Sequence, residues 1–133
     1  MNVFCLSPGE IDSLSAEYWR HLERLERETG LVLASAIRLD LLDGRKQLWG
    51  YREEKVLGIA VTEILETPKG QACLIYGACG TETTKGQINT LLCAIEAWAR
   101  NIGCTRMMLQ GRRGWLRKLE SYRQTGIILE KEF

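Results

Sequence analysis

The segment from Leu74 to Trp115 constrains the fold more than any other, because its apolar pattern changes period twice. Leu74 to Ala78 is a short apolar run ending at Cys79-Gly80, which predicts a strand. Thr81 to Gln87 is polar, without bulky apolar residues, and reads as a loop. Near Gln87 the period lengthens. Ile88, Leu91, Leu92, Ile95, Ala99 and Ile102 recur at spacings of three and four, which line one face of a helix. Asn89, Glu96 and Arg100 fall on the other side, and Glu96 with Arg100 forms an i, i+4 pair in the favourable order. Gly103 supplies a helix stop. From Cys104 to Gln110 the period shortens again: Thr105, Met107 and Leu109 alternate with Arg106 and Gln110. A strand, a crossover helix and a second strand form a βαβ unit, which predicts parallel pairing with a right-handed connection.

The rest of the chain supplies partners for this unit. Val3 to Leu6 reads as a short edge strand. Ser7-Pro8-Gly9-Glu10 carries a helix start, with Ser as N-cap, Pro in the first position and Glu three residues after the cap. Ile11, Leu14, Tyr18, Leu22 and Leu25 mark a helical stripe, with room for a break at Ser13 to Ser15, and Gly30 closes it. The mixed charges from Arg20 to Glu28 describe a solvated face. Leu33 to Leu42 has strand and helix character, and its stop at Asp43-Gly44 favours a short helix. Gln47 to Arg52 and Val56 to Leu65 read as strands, and Thr67-Pro68-Lys69-Gly70 as a turn, so three antiparallel strands follow in a row. In the second of these strands Leu57, Ile59 and Val61 share a face with Glu63. After the βαβ unit, Gly114 to Ser121 reads as a short helix and Ile127 to Glu132 as a final strand.

Composition removes several functions. A chain of 133 residues with a net charge of +1 gives no overall attraction to nucleic acid or membrane. The five cysteines include no C-x-x-C pair and read as reduced, mostly buried thiols of a cytoplasmic protein. With His21 as the single histidine, a His-rich metal site is excluded and a Ser-His-Asp triad is disfavoured. No metal is expected. The start lacks a signal-peptide pattern, and the most apolar run, Leu31 to Leu42, is too short for a membrane span.

Four stretches carry a family resemblance: Gln47-Leu48-Trp49; Val61-Thr62-Glu63-Ile64 with Pro68; Ile95-Glu96-Ala97-Trp98-Ala99-Arg100 with Gly103-Cys104; and Gly111-Arg112-Arg113-Gly114-Trp115 with Leu119. With the order of helices, meander and βαβ unit, the chain resembles the GNAT superfamily of N-acetyltransferases over nearly its whole length. It is most similar to small GNAT-like proteins of tailed bacteriophages. The resemblance implies an α+β (α/β) fold in one domain, residues 1–133: N-terminal helices, an antiparallel meander, then the βαβ unit on a central mixed sheet.

The resemblance also implies a coenzyme site. In the family, a loop of pattern Q/R-x-x-G-x-G/A and the following helix N-terminus hold the acetyl-CoA pyrophosphate. The matching positions are Thr83, Gly86 and Ile88. Gly86 keeps the family residue, Lys85 adds a cation, Gln87 lies between, and Ile88 places a β-branched side chain where backbone is expected to approach phosphate. Ile88 reads equally as the start of the core stripe. A short helix near the C-terminus usually carries the acid tyrosine, and Arg117 stands in that position, while Tyr122 falls on a family phenylalanine.

Glu63 reads either as a base taking a proton from an amine through water or as an ion-pair partner of Arg106 or Arg112. Tyr76 is a second catalytic candidate and reads equally as core. The segment from Arg100 to Arg123 holds Arg106, Arg112, Arg113, Arg117 and Lys118 against Glu120 alone. Such a segment suits coenzyme phosphates, a nucleic-acid backbone or an acidic protein. It reads equally as separate arginines paired with the meander's glutamates. Two classes of function therefore stand: an N-acetyltransferase using acetyl-CoA, or a non-catalytic protein binding a phage or host partner through Arg112, Arg113 and Arg117.

Overall fold

The computed structural model describes residues 2–30, 32–80, 85–111, 119 and 121–133; of Lys85 it describes the backbone. Thr83, Arg112, Arg113 and Arg117 lie outside the described residues, as does most of the helix expected from Gly114 to Ser121.

The first half follows its local signals. Strand β1 (Val3–Cys5) leads into helix α1 (Pro8–Asp12), where Ser7 and Glu10 form a reciprocal capping box. The break around Ser13 to Ser15 is real, and α2 (Ala16–Thr29) starts after it. Gly30 ends α2 at φ +63°, and its N–H donates to the Glu26 carbonyl. The Glu26 side chain accepts from the Ala34 N–H at 2.6 Å, so the same residue ties down the start of α3 (Ala34–Leu42). The run that was ambiguous between strand and helix is therefore a helix.

The meander is β2 (Lys46–Arg52), β3 (Val56–Thr67) and β4 (Gly70–Gly80), followed by α4 (Lys85–Asn101) and β5 (Arg106–Leu109). The sheet order is β1-β2-β3-β4-β5; β1 to β4 are antiparallel, and β5 joins β4 in parallel. Both faces are covered, so the alternation in β3 divides two cores. Ile59 and Val61 pack with α1, α2 and α3, whereas Ala60 packs with α4. Trp49 and Trp98 meet edge to face in the second core, with ring centroids 5.3 Å apart.

Five expectations change. β4 is longer than Leu74 to Ala78, because its early residues pair with both β3 and β5. Ile102 lies beyond α4 and is exposed, so the apolar stripe ends at Ala99. Glu96 accepts the Tyr122 hydroxyl at 2.7 Å rather than serving Arg100. Ile127 to Glu132 is not a strand: it has the right composition, but no described segment pairs with it. Among the thiols all five are free, with Cys73 buried but Cys5 and Cys93 exposed, so "mostly buried" overstated their burial.

Candidate active site

The site begins with an irregularity in β4. Val61 pairs with Gly77 and Thr62 with Ile75, so Tyr76 is an extra residue, a β-bulge. Ile75 and Ala78 pack on the α4 side. Tyr76 packs with the opposite core, and Gly77 also faces α2: a Cβ there would stand 2.9 Å from Leu25 Cδ1. Two successive residues therefore point to the α2 face. This turns the Tyr76 hydroxyl onto Glu63 Oε2, to which it donates a close hydrogen bond.

Glu63 is thus the partner of Tyr76 and not of Arg106; Arg112, the other partner one reading allowed, lies outside the described residues. Arg106 instead has its Nε buried with no hydrogen-bond partner. The antiparallel register sets Lys46 opposite Glu63, and Lys46 Nζ lies 4.8 Å from the Tyr76 ring centroid. Lys46 also pairs with Asp40 at 3.4 Å. Burial first, then the bond to Glu63, pushes the Tyr76 pKa up to about 12. The tyrosine therefore stays neutral, a standing donor to the carboxylate. Lys46 and Asp40 escaped the sequence reading. Nothing local marks them, but the β2–β3 register would have found Lys46.

The two parallel strands part beside this group. Their ladder runs from Ala72–Arg106 to Ile75–Leu109, and the Gln110 N–H still donates to the Ile75 carbonyl at 3.0 Å. Beyond that point β4 continues to Gly80, without β5 alongside. A cavity of about 1210 Å³ opens there, lined by Tyr76, Gly77, Leu25 and Thr29 together with Met108 and Gln110.

The chain leaves β4 and re-enters at the N-terminus of α4, whose first residue is Lys85. Gly86 is exposed in the first turn, and its carbonyl accepts from Thr90 Oγ1 at 2.9 Å. Gln87 is half-buried. Ile88 is buried with Leu91, Leu92 and Ile95, so its bulk lies under the helix rather than over the terminal amides. The half-buried Tyr122 is held by Glu96, and burial together with that bond raises its pKa. Among the described residues, no group of three or more metal-ligating side chains comes together, and no helix is long and apolar enough to cross a membrane.

No protein-family model and no curated protein matches the sequence. Solved structures match the whole fold. An aminoglycoside acetyltransferase from an uncultured soil metagenomic sample superposes with a TM-score of 0.76 at 11% identity, over 98% of this chain and 95% of that one. The fold is GNAT-like. A ribosomal-protein-alanine N-acetyltransferase from Brucella melitensis biovar Abortus 2308 shares it at TM-score 0.70 and 13% identity, over 98% of this chain and 100% of that one. So does AAC(6')-Iy, solved with a bisubstrate analogue containing CoA, at TM-score 0.74 and 12% identity over 98% and 96% of the two chains.

Two features of this GNAT-like fold bear on acetyl-CoA. Gly86 is exposed in the first turn of α4, whose N-terminal dipole suits an anion, and Ile88 packs into the core. The stretch of β4 past Ile75 has a backbone edge that β5 does not take up, suited to an extended chain bearing amides.

Proposed function

We propose that the chain is an acetyl-CoA-dependent N-acetyltransferase acting on a small amine or a peptide amine. The observation that carries this reading is the Tyr76–Glu63 pair at the place where β4 and β5 part. When bound, acetyl-CoA supplies the acetyl group as an activated thioester. The N-terminus of α4, at Gly86, Gln87 and Ile88, would hold its phosphates, and the sequence positions Thr83 and Lys85 would belong to the same loop. Glu63 takes the proton that an acceptor ammonium must lose, through water. Tyr76 lines the cavity, orients the carboxylate and, with its raised pKa, remains a donor while Glu63 works. Lys46 steadies the ring.

The amine classes to try first are those named for the structural relatives: aminoglycosides and peptides beginning with alanine. Release of coenzyme A, followed with a thiol reagent, is the assay. We expect turnover with at least one acceptor, and Glu63→Gln should lower it about a hundred- to ten-thousand-fold. Tyr76→Phe should lower it less, since the carboxylate survives. Absence of turnover with every acceptor, and of thermal stabilisation by acetyl-CoA, overturns the enzyme reading. The second reading would then stand: a GNAT-like protein of phage origin, working in the host cytoplasm, that grips a phage or host partner through Arg112, Arg113 and Arg117. Arg117 in place of the family's acid tyrosine supports that reading.

A further inference from the structure

Of the described lysine side chains, Lys46 alone stands beside the Tyr76–Glu63 pair. The β2–β3 register sets it directly opposite Glu63, and Cβ atoms so placed stand about 4.5–5.5 Å apart. Its Nζ lies 4.8 Å from the Tyr76 ring centroid and 3.4 Å from Asp40 Oδ2. The side chain is only 19% exposed. An ammonium held by one carboxylate, over an aromatic ring and opposite a second carboxylate, stands as an amine acceptor must stand toward Glu63.

The other described lysine side chains stand elsewhere. Lys55 lines a groove on α2 with Arg20 and Arg27. Lys69 sits in the turn where β4 starts, roughly 20 Å along the strand from Tyr76. Lys131 lies over Phe133. Tyr76, by contrast, is the first residue of β4 past the last rung shared with β5, and it lines the cavity that opens there. The ring that Lys46 covers therefore belongs to the residue at which the cleft begins. A lysine stem is flexible, so Nζ can swing from its contact with the ring to the about 3–3.5 Å of a reacting pair.

We infer that Lys46 is a self-acetylation site: the chain transfers the acetyl group of acetyl-CoA to its own Lys46 Nζ. The inference rests on the acetyltransferase reading above. Glu63 takes one proton from the ammonium through water, which frees the Nζ lone pair. Nζ attacks the thioester carbonyl carbon. The N–C bond forms as the C–S bond breaks, and the departing sulfur takes the second proton. The products are an amide on Lys46 and the coenzyme as its thiol, with no change of oxidation state. Acetylation removes the charge, so the pair with Asp40 and the hold on the Tyr76 ring both end. Asp40 keeps Arg45 at 3.8 Å, and Glu63 no longer has a resident ammonium opposite it. The modified site presents Glu63 to an external amine without a competing cation of its own.

Wild-type chain incubated with acetyl-CoA and no acceptor should gain the mass of one acetyl group. Trypsin cuts after Arg45 and after Lys46, but not after an acetylated lysine, so the peptide Lys46–Arg52 should replace Gln47–Arg52. Glu63→Gln should slow the gain about a hundred- to ten-thousand-fold. Lys46→Arg should abolish it while keeping a cation beside Asp40, and both variants should keep the wild-type circular dichroism spectrum. Acetic anhydride, which acetylates by exposure, is the control. It should modify the exposed Lys55, Lys69 and Lys131 before Lys46, the reverse of the order with acetyl-CoA. The same order with both reagents, or a gain indifferent to Glu63→Gln, would overturn the inference. Coenzyme A release with an aminoglycoside or a peptide, while Lys46 stays unmodified, overturns it and leaves the acetyltransferase reading standing; if neither acceptor nor Lys46 is acetylated, both fall.

Discussion

Thr62→Val tests the buried polar bridge beneath the site. Thr62 is fully buried on β3, beside Glu63, and its hydroxyl has two partners. It accepts from Trp49 Nε1 at 3.1 Å and donates to Gln47 Oε1 at 2.8 Å. Valine keeps the shape and the β-branch but removes both bonds. Water can replace the bond at half-buried Gln47, but the Trp49 indole N–H has no such recourse, since that residue is 5% exposed. A stranded buried donor costs about 1–3 kcal/mol. The extra methyl recovers part of this, so the net loss should be about 2 kcal/mol. For a chain of 133 residues that is a fall in Tm of roughly 7 °C. Thr62→Ser keeps the hydroxyl and loses one methyl, about 1 kcal/mol. Urea unfolding measures both, and the midpoint should move at constant slope. Combining Thr62→Val with Trp49→Phe should destabilise by less than the sum, because phenylalanine has no N–H to strand. Wild-type stability in Thr62→Val, or strict additivity in the double variant, would refute the reasoning.

Three further outcomes follow from the packing and the ionisation of single residues. Gly77→Ala would set its Cβ 2.9 Å from Leu25 Cδ1 and 3.1 Å from Thr29 Cγ2, in a well-packed core, and should destabilise by about 1–3 kcal/mol in thermal melts. Gly9→Ala, whose Cβ meets nothing within 4 Å, should be neutral or slightly stabilising in the same melts. Tyr76 should ionise near pH 12 rather than near its ordinary value of 10.0. Because the folded pKa is raised, the stability it contributes is intact below pH 10 and is lost as pH rises through about 12. Absorbance at 295 nm should therefore lose the tyrosine step near pH 12 in Tyr76→Phe, while the step of Tyr122, whose pKa is raised further, remains; an unchanged titration above pH 10 would refute the assignment.

The features legible in the sequence were those whose partners lie within four residues along the chain. Ser7 and Glu10 cap α1 across three residues, Gly30 stops α2 by its left-handed φ, and Ile88 to Ala99 line one face because a helix repeats every 3.6 residues. The Pro68 turn and the parallel pairing of β4 with β5 also came from short spacings, together with the rule that a crossover helix joins parallel strands. Glu63 and Tyr76 could be named as candidates by type and position, but their mutual bond could not. It depends on the extra residue in β4, and only the β3 register reveals that residue as a bulge. Lys46 and Asp40 join the pair through contacts between separate elements, and Thr62 owes its role to a tryptophan on the neighbouring strand. Residues 127–132 mark the same boundary from the other side. Their composition asks for a strand, but a strand exists only when another chain segment takes up its hydrogen bonds, and among the described residues none does. Periodicity is a local property, so the chain carries it in its letters. Register, bulges and edges are relations between distant segments, and only the packed sheet decides them.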